Sequence, residues 1–161
     1  SLFKYSNLAS KMTKRKKIYD FKKQLSIGDE GEKLFLELYS HKGARKSDIL
    51  KFDFYLHCGA TVELKTDTYS IKRTKNFFIE RWSDFRNKRP GGPFQSEADF
   101  FVYLFIKQKV FYWFRRQELL DFLSTKRYGL VAIKNKGYTT MGYKVSRKDV
   151  KRLCIGIDKF D

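Results

Sequence analysis

Residues 52–65 read FDFYLHCGATVELK, and the fold is decided by how this stretch is read. From Leu50 to Leu56 the side chains alternate. Leu50, Phe52, Phe54 and Leu56 fall on one face, and Lys51, Asp53 and Tyr55 on the other; this is the period of a half-buried strand. His57 to Ala60 supply a turn around Gly59. Alternation resumes from Thr61 to Lys65, with Val62 and Leu64 toward the core and Thr61, Glu63 and Lys65 opposite. Antiparallel pairing across the turn is expected to bring Asp53 close to Glu63.

Upstream, Ile18, Phe21 and Leu25 are spaced i, i+3, i+7 and predict a short amphipathic helix. Gly28 breaks that pattern, and Asp29 is then a candidate N-cap with Glu32 three residues on, as in a capping box. A helix to Tyr39 is expected to bury Leu34, Phe35 and Leu38. Glu32 has two readings: it caps this helix, or it points its carboxylate at the strands that follow. Residues 1–17 are polar and end in Lys14, Arg15, Lys16 and Lys17. They read as a basic N-terminal arm, either a plain terminus or one that touches phosphates.

Downstream, Asn76 to Trp82 reads as a third strand with Phe78, Glu80 and Trp82 on one face. The flanking loops carry Lys72, Arg73 and Lys75 before it, and Arg86, Lys88 and Arg89 with Gly91 and Gly92 after it. Ser96 is a candidate cap for a short turn with Glu97 and Asp99. Phe100–Ile106 and Val110–Phe114 read as strands about a Lys107–Lys109 turn, and Glu118–Leu123 as a helix. Leu130–Ile133 and Tyr138–Val145 are expected to be strands. Ser146 and Asp149 open a last helix through Leu153. With no internal repeat and no long linker, residues 18–161 read as a single α/β domain, a central mixed β-sheet flanked by helices.

The chain has 161 residues, 42% of them hydrophobic and 17% aromatic, with 16 Phe and 10 Tyr. That suffices for a substantial core. The formal net charge of +17 makes nucleic acid the leading partner, with an anionic surface or an acidic protein also fitting. The longest apolar run, Phe100–Ile106, is strand-sized, so no membrane span is expected. No secretory signal is apparent, and Cys58 and Cys154 form no metal pattern and require no disulfide. A reducing cytoplasm is the expected setting.

Two carboxylates facing one another are costly unless a cation lies between them. Asp53 and Glu63 are therefore candidate ligands for magnesium, or manganese, with the Leu64 carbonyl as a further oxygen. Lys65, on the face of Glu63, is placed to orient or help deprotonate a water.

The order Asp53, then Glu63-x-Lys65, on two adjoining strands behind a helix carrying Gly28-x-x-Gly31-Glu32, resembles the PD-(D/E)xK nuclease superfamily, the restriction-endonuclease-like fold. In that likeness Asp53 is the first carboxylate, Glu63 the second and Lys65 the lysine. Phe52 stands where the name has proline. Glu32 matches an additional acidic residue near the metal, and Glu80 either matches a further polar position or makes a sheet-edge salt bridge. The likeness covers residues 28–65. It implies a metal-dependent nuclease that hydrolyses phosphodiester bonds; an endonuclease is the first expectation, and an exonuclease, which would need a channel or ring, stays open.

The expected substrate is DNA, held through Lys72, Arg73, Lys75, Arg86, Lys88 and Arg89. No helix-turn-helix or zinc-finger spacing is present, which points away from sequence reading. Tyr69, Trp82 and Phe94 are candidates to stack on bases of a branched or single-stranded substrate. A junction-cleaving enzyme would need paired sites and hence a homodimer. The rival is a non-catalytic nucleic-acid-binding protein in which Asp53, Glu63 and Lys65 form a structural ion network. An RNA-binding structural protein is a third reading.

Overall fold

The computed structural model describes residues 26–125 and 127–161. The basic arm and the helix expected at 18–25 lie outside them. In chain order the elements are α1 (26–38), β1 (Arg45–Lys46), β2 (Phe54–Tyr55), β3 (Thr61–Asp67), β4 (Asn76–Asp84) and β5 (Arg89–Pro90). β6 (Phe100–Phe105), β7 (Val110–Arg115), α2 (Arg116–Ser124), β8 (Val131–Asn135), β9 (Tyr138–Ser146), α3 (Arg147–Leu153) and β10 (Gly156–Lys159) follow. A short 3-10 turn, Gly92–Phe94, links β5 to β6.

β3 lies within a six-stranded sheet of order β1-β2-β3-β6-β7-β10. β3 and β6 run parallel, and every other neighbouring pair in that sheet is antiparallel. Val62 and Leu64 point to one face, where α1 packs through Phe35 and Tyr39 together with Phe54, Val102, Leu104 and Phe111. Phe35 stacks on Phe54 with ring centres 4.5 Å apart, a contact worth about 1 kcal/mol beyond its buried area. The Tyr39 hydroxyl donates to Asp158 at 2.5 Å and accepts from Trp113 Nε1 at 2.9 Å, fixing the end of α1 to β7 and β10. Burial, then Asp158, pushes the Tyr39 phenol far above its usual pKa.

The opposite face of this sheet is covered by a second, four-stranded antiparallel sheet of order β5-β4-β9-β8, which the alternation pattern did not foretell. Phe101, Tyr103, Phe105, Tyr112 and Phe114 meet Phe77 and Ile79 of β4 and Val145 of β9 there, with Leu119 and Leu123 of α2 and Val150 of α3 closing the layer. The aromatic strands thus serve as sheet core, as expected. The result is a mixed sheet flanked by helices, with a second sheet on one face.

The strand expected over Leu50–Leu56 shrinks to Phe54–Tyr55. Leu50 is fully exposed, with a relative accessibility of 102%. Residues 47–53 form a closed loop in which the Ser47 amide donates to the Asp53 carbonyl at 2.8 Å and the Ile49 amide to Ser47 Oγ at 2.9 Å. The alternation of Leu50 and Phe52 is a coincidence of a turn stabilised by its own serine. Gly28 does not break a helix and Asp29 does not cap one, because α1 already includes residues 26–38. Gly31 instead sets the packing of α1: a Cβ there would stand 1.9 Å from Thr66 Oγ1 of β3. The Ser146 cap is formed, its hydroxyl accepting from the Asp149 amide at 3.2 Å.

Candidate functional site

β2 and β3 part company beside the candidate residues. Their last pair is Phe54 with Val62, after which the Asp53 amide donates to the Val62 carbonyl at 2.8 Å and the chain turns away. The next inward amide on β3, that of Leu64, is left without a strand partner. Asp53 Oδ2 accepts it at 2.8 Å. The carboxylate thus stands in for the missing strand, in the plane of the sheet. The Leu64 carbonyl lies on the same strand edge as its amide, outside the ladder. Glu63 projects from the face of β3 turned toward the second sheet, and Lys65, exposed, follows on that face. Glu32 approaches from α1 on the other face and is ion-paired with Lys46 of β1.

Burial is the largest influence on both central carboxyls. It raises Asp53 to about 6; the Leu64 amide and the Lys46 charge oppose the rise and the charge of Glu32 adds to it. It raises Glu63 to about 8, reinforced by the negative charges of Asp53 and Glu32 and opposed by a hydrogen bond from Ser96. Asp53 and Glu63 therefore behave as one pair that resists full ionisation near neutrality. The Glu32 contact, more than any other, raises the Lys46 ammonium above its usual value.

Sequence reasoning named Asp53, Glu63, Leu64 and Lys65; the structure brings the first three together at one notch, with Lys65 exposed farther along the face of Glu63. It placed Glu32 beside them but missed Lys46, which occupies the Glu32 carboxylate. It read Ser96 as a local cap, which it is, since the Ala98 amide donates to its Oγ at 3.0 Å. The same buried hydroxyl also reaches the Lys51 carbonyl at 3.0 Å and the carboxyl of Glu63. Nothing in the periodicity marks that second role. Among the described residues no group of three or more His, Cys, Asp or Glu side chains is arranged to hold a metal ion.

Known protein families, curated proteins and solved structures give no match to this chain. The site must therefore be read from its own atoms.

The basic residues expected to hold DNA do not form one patch. Lys72, Arg73 and Lys75 precede β4, while Arg86, Lys88 and Arg89 follow it, so the nine residues of β4 separate them by roughly 26 Å at 3.3 Å per residue. Lys72, Arg73, Lys75, Arg86 and Lys88 are exposed and Arg89 is half-buried in β5. Glu80 sits on β4, the side opposite Phe77 and Ile79, beneath Gly91, where a Cβ would come within 2.7 Å of its carboxylate. The Arg81 guanidinium covers Trp82 at 3.9 Å and Phe94 at 4.5 Å from the ring centres. Of the candidate stacking residues, Tyr69 is the one left largely exposed. Among the described residues no helix is long and apolar enough to cross a membrane.

Proposed function

We propose that the chain is a metal-dependent DNA nuclease of restriction-endonuclease-like design, with Asp53 and Glu63 as the metal-binding carboxylates. One observation carries the reading: two half-buried carboxyl groups meet at the β2–β3 notch, where burial raises both and the charge of Asp53 further opposes ionisation of Glu63. Folding tolerates such a pair where a cation or a proton occupies the space between. The donor set fits a hard cation. It offers two carboxylates and the Leu64 carbonyl, all oxygen, with Asp53 already oriented by the Leu64 amide. Magnesium is commonly held by one or two carboxylates plus waters and substrate phosphates, so the lack of a third side-chain ligand is compatible with it.

A bound magnesium or manganese ion would supply a water of lowered pKa and neutralise charge on the scissile phosphate. The chain's own residues do the rest. Asp53 and Glu63 surrender their retained proton and orient the reacting centre. Lys65, exposed on the face of Glu63, donates to the attacking water or steadies the negative charge that builds on phosphorus. Ser96 stands beside Glu63, and Glu32, ion-paired with Lys46, adds negative charge behind Asp53. The net charge of +17 favours a polyanionic substrate. Absence of a base-reading motif favours recognition of shape, as in branched or single-stranded DNA. Cutting a junction on two strands would require two copies of the chain.

The second reading, a nucleic-acid-binding protein without catalysis, is favoured by the Glu32–Lys46 pair, which takes the third acid out of the donor set. Incubation with linear, circular, single-stranded and four-way-junction DNA, with magnesium, manganese or EDTA, separates the two. Cleavage should require the metal, and Glu63→Ala and Lys65→Ala should each lower it by at least about 100-fold while DNA binding persists. Undiminished cleavage by Glu63→Ala would sink the site assignment. Binding without cleavage of any substrate would establish the second reading.

A further inference from the structure

Away from the Asp53–Glu63 notch, a cavity of about 590 Å³ opens between α3, β10 and the loop before β4. Four cations line it, Lys72, Arg147, Lys151 and Lys159, together with the Tyr112 ring, and no carboxylate does. The carboxylate of α3, Asp149, is engaged elsewhere, by Tyr128, Arg127 and Arg152. Four like charges around one concavity repel each other at short range, and nothing among the lining residues offsets them.

Arg147 is built into place rather than left to sweep the surface. Its Nη2 donates to the Ile71 carbonyl and, at 2.6 Å, to the Thr74 carbonyl, and its amide donates to the Lys75 carbonyl at 3.1 Å. Its Nε is buried and has no acceptor among the described residues. The two carbonyls hold the guanidinium in place at the cavity wall, and its fixed positive charge favours an anionic ligand there.

The cavity is separate from the catalytic pair. Lys65, Tyr103, Tyr112 and Ile157 are paired in succession across the sheet, which puts about 10 Å, two strand spacings, between Lys65 and Tyr112, the first strand of the cavity wall, and about 14 Å between Lys65 and Ile157.

We infer that this cavity is a binding site for a phosphomonoester, the dianionic phosphate carried by the end of a nucleic-acid strand or by a free nucleotide. Arg147 and Lys72 take the phosphate from one side and Lys151 and Lys159 from the other. Ile71, Ile157 and the Tyr112 ring give an apolar wall for the attached sugar. An internal phosphodiester, with one charge, would leave more of the cationic field uncompensated.

The test is binding by the whole chain in EDTA, so that no cleavage is needed. The probes are single-stranded oligonucleotides ending in 5′-phosphate, 3′-phosphate or hydroxyl, and nucleoside monophosphates. The variant is Lys151→Ala with Lys159→Ala, both exposed positions, with circular dichroism to confirm the fold. A phosphorylated end should bind about tenfold tighter than a hydroxyl end, and the double variant should abolish that preference while leaving hydroxyl-ended affinity within about twofold. Monophosphate binding that is weakened by the variant, with no preference among strand ends, would assign the site to free nucleotides. Indifference to the terminal phosphate, together with monophosphate binding that is absent or unchanged in the variant, overturns the inference. Either result is independent of whether Asp53 and Glu63 cleave.

Discussion

Asp53 and Glu63 give the protein a titration signature that can be read without any substrate. Both carboxyls are raised by burial and by like charge, Asp53 to about 6 and Glu63 to about 8. In the unfolded chain they ionise near their ordinary values of about 4. Between those limits the folded state holds more protons, so stability is fully present below about pH 4 and is lost as pH rises through the folded values. Metal-free protein should therefore melt at a lower temperature at pH 8.5 than at pH 5.5. Glu63→Gln keeps the shape and removes one charge of the pair. It should flatten that decline and stabilise the protein at high pH by on the order of 1 kcal/mol, or ~2–4 °C. Thermal melts across the pH range in EDTA check this; a decline of equal depth in Glu63→Gln refutes the coupling. Glu63 and Lys65 were legible because they follow the period of β3, and Asp53 because the turn at Gly59 brings the chain back beside it, although the alternation expected around Asp53 belongs to a loop. Ser96 and Lys46 were not, because their contacts with Glu63 and Glu32 join distant parts of the chain, and no local pattern encodes such a meeting.

The elements that sequence predicted best are those whose signals are local. The helix cap at Ser146 and the aromatic strands β6 and β7 need only their own residues to be recognised. The two-residue strands β1 and β5 are too short to show a period, and β10, Gly-Ile-Asp-Lys, holds one apolar residue, Ile157, which is exposed, so its sequence shows no apolar alternation. The second sheet was hidden for a different reason: alternation says which side chains share a face, not what covers it. α1 shows how a single residue sets the relation between elements. Gly31 lets the helix lie against Thr66, and that close approach carries Glu32 to Lys46 and to the notch. Gly31→Ala improves local helix propensity by about 1 kcal/mol, yet the clash with β3 should outweigh it and leave the protein about 1–3 kcal/mol less stable. Thr66→Ala removes the obstructing hydroxyl, so the double variant should recover part of that loss. Denaturant unfolding of the two single variants and the double one measures the coupling. Additive effects would show that α1 and β3 do not meet at this point.

For the nucleic-acid partner proposed above, the positions of the cations predict how a duplex spans the molecule. Lys72, Arg73 and Lys75 stand at one end of β4, and Arg86, Lys88 and Arg89 at the other, roughly 26 Å apart along a nine-residue strand. At 3.4 Å rise per base pair that distance corresponds to about 8 base pairs. A duplex of about 20 base pairs can touch both groups at once, and each lost phosphate contact should lower the slope of log affinity against log salt by about 0.9. Replacing Lys72 and Lys75 by Ala, or Arg86 and Lys88 by Ala, should then each weaken binding to the long duplex and each flatten its salt dependence. A duplex of about 6 base pairs is too short to bridge the ends, so the two groups act as alternative half-sites. Losing one pair of cations should cost it only about twofold, the statistical loss of one of two sites, while losing both pairs should remove most of the binding. Titrations at several salt concentrations with both lengths decide the matter. An equal loss for long and short duplexes would mean that one group alone carries the contact, and that the charge at the other end of β4 serves solubility rather than recognition.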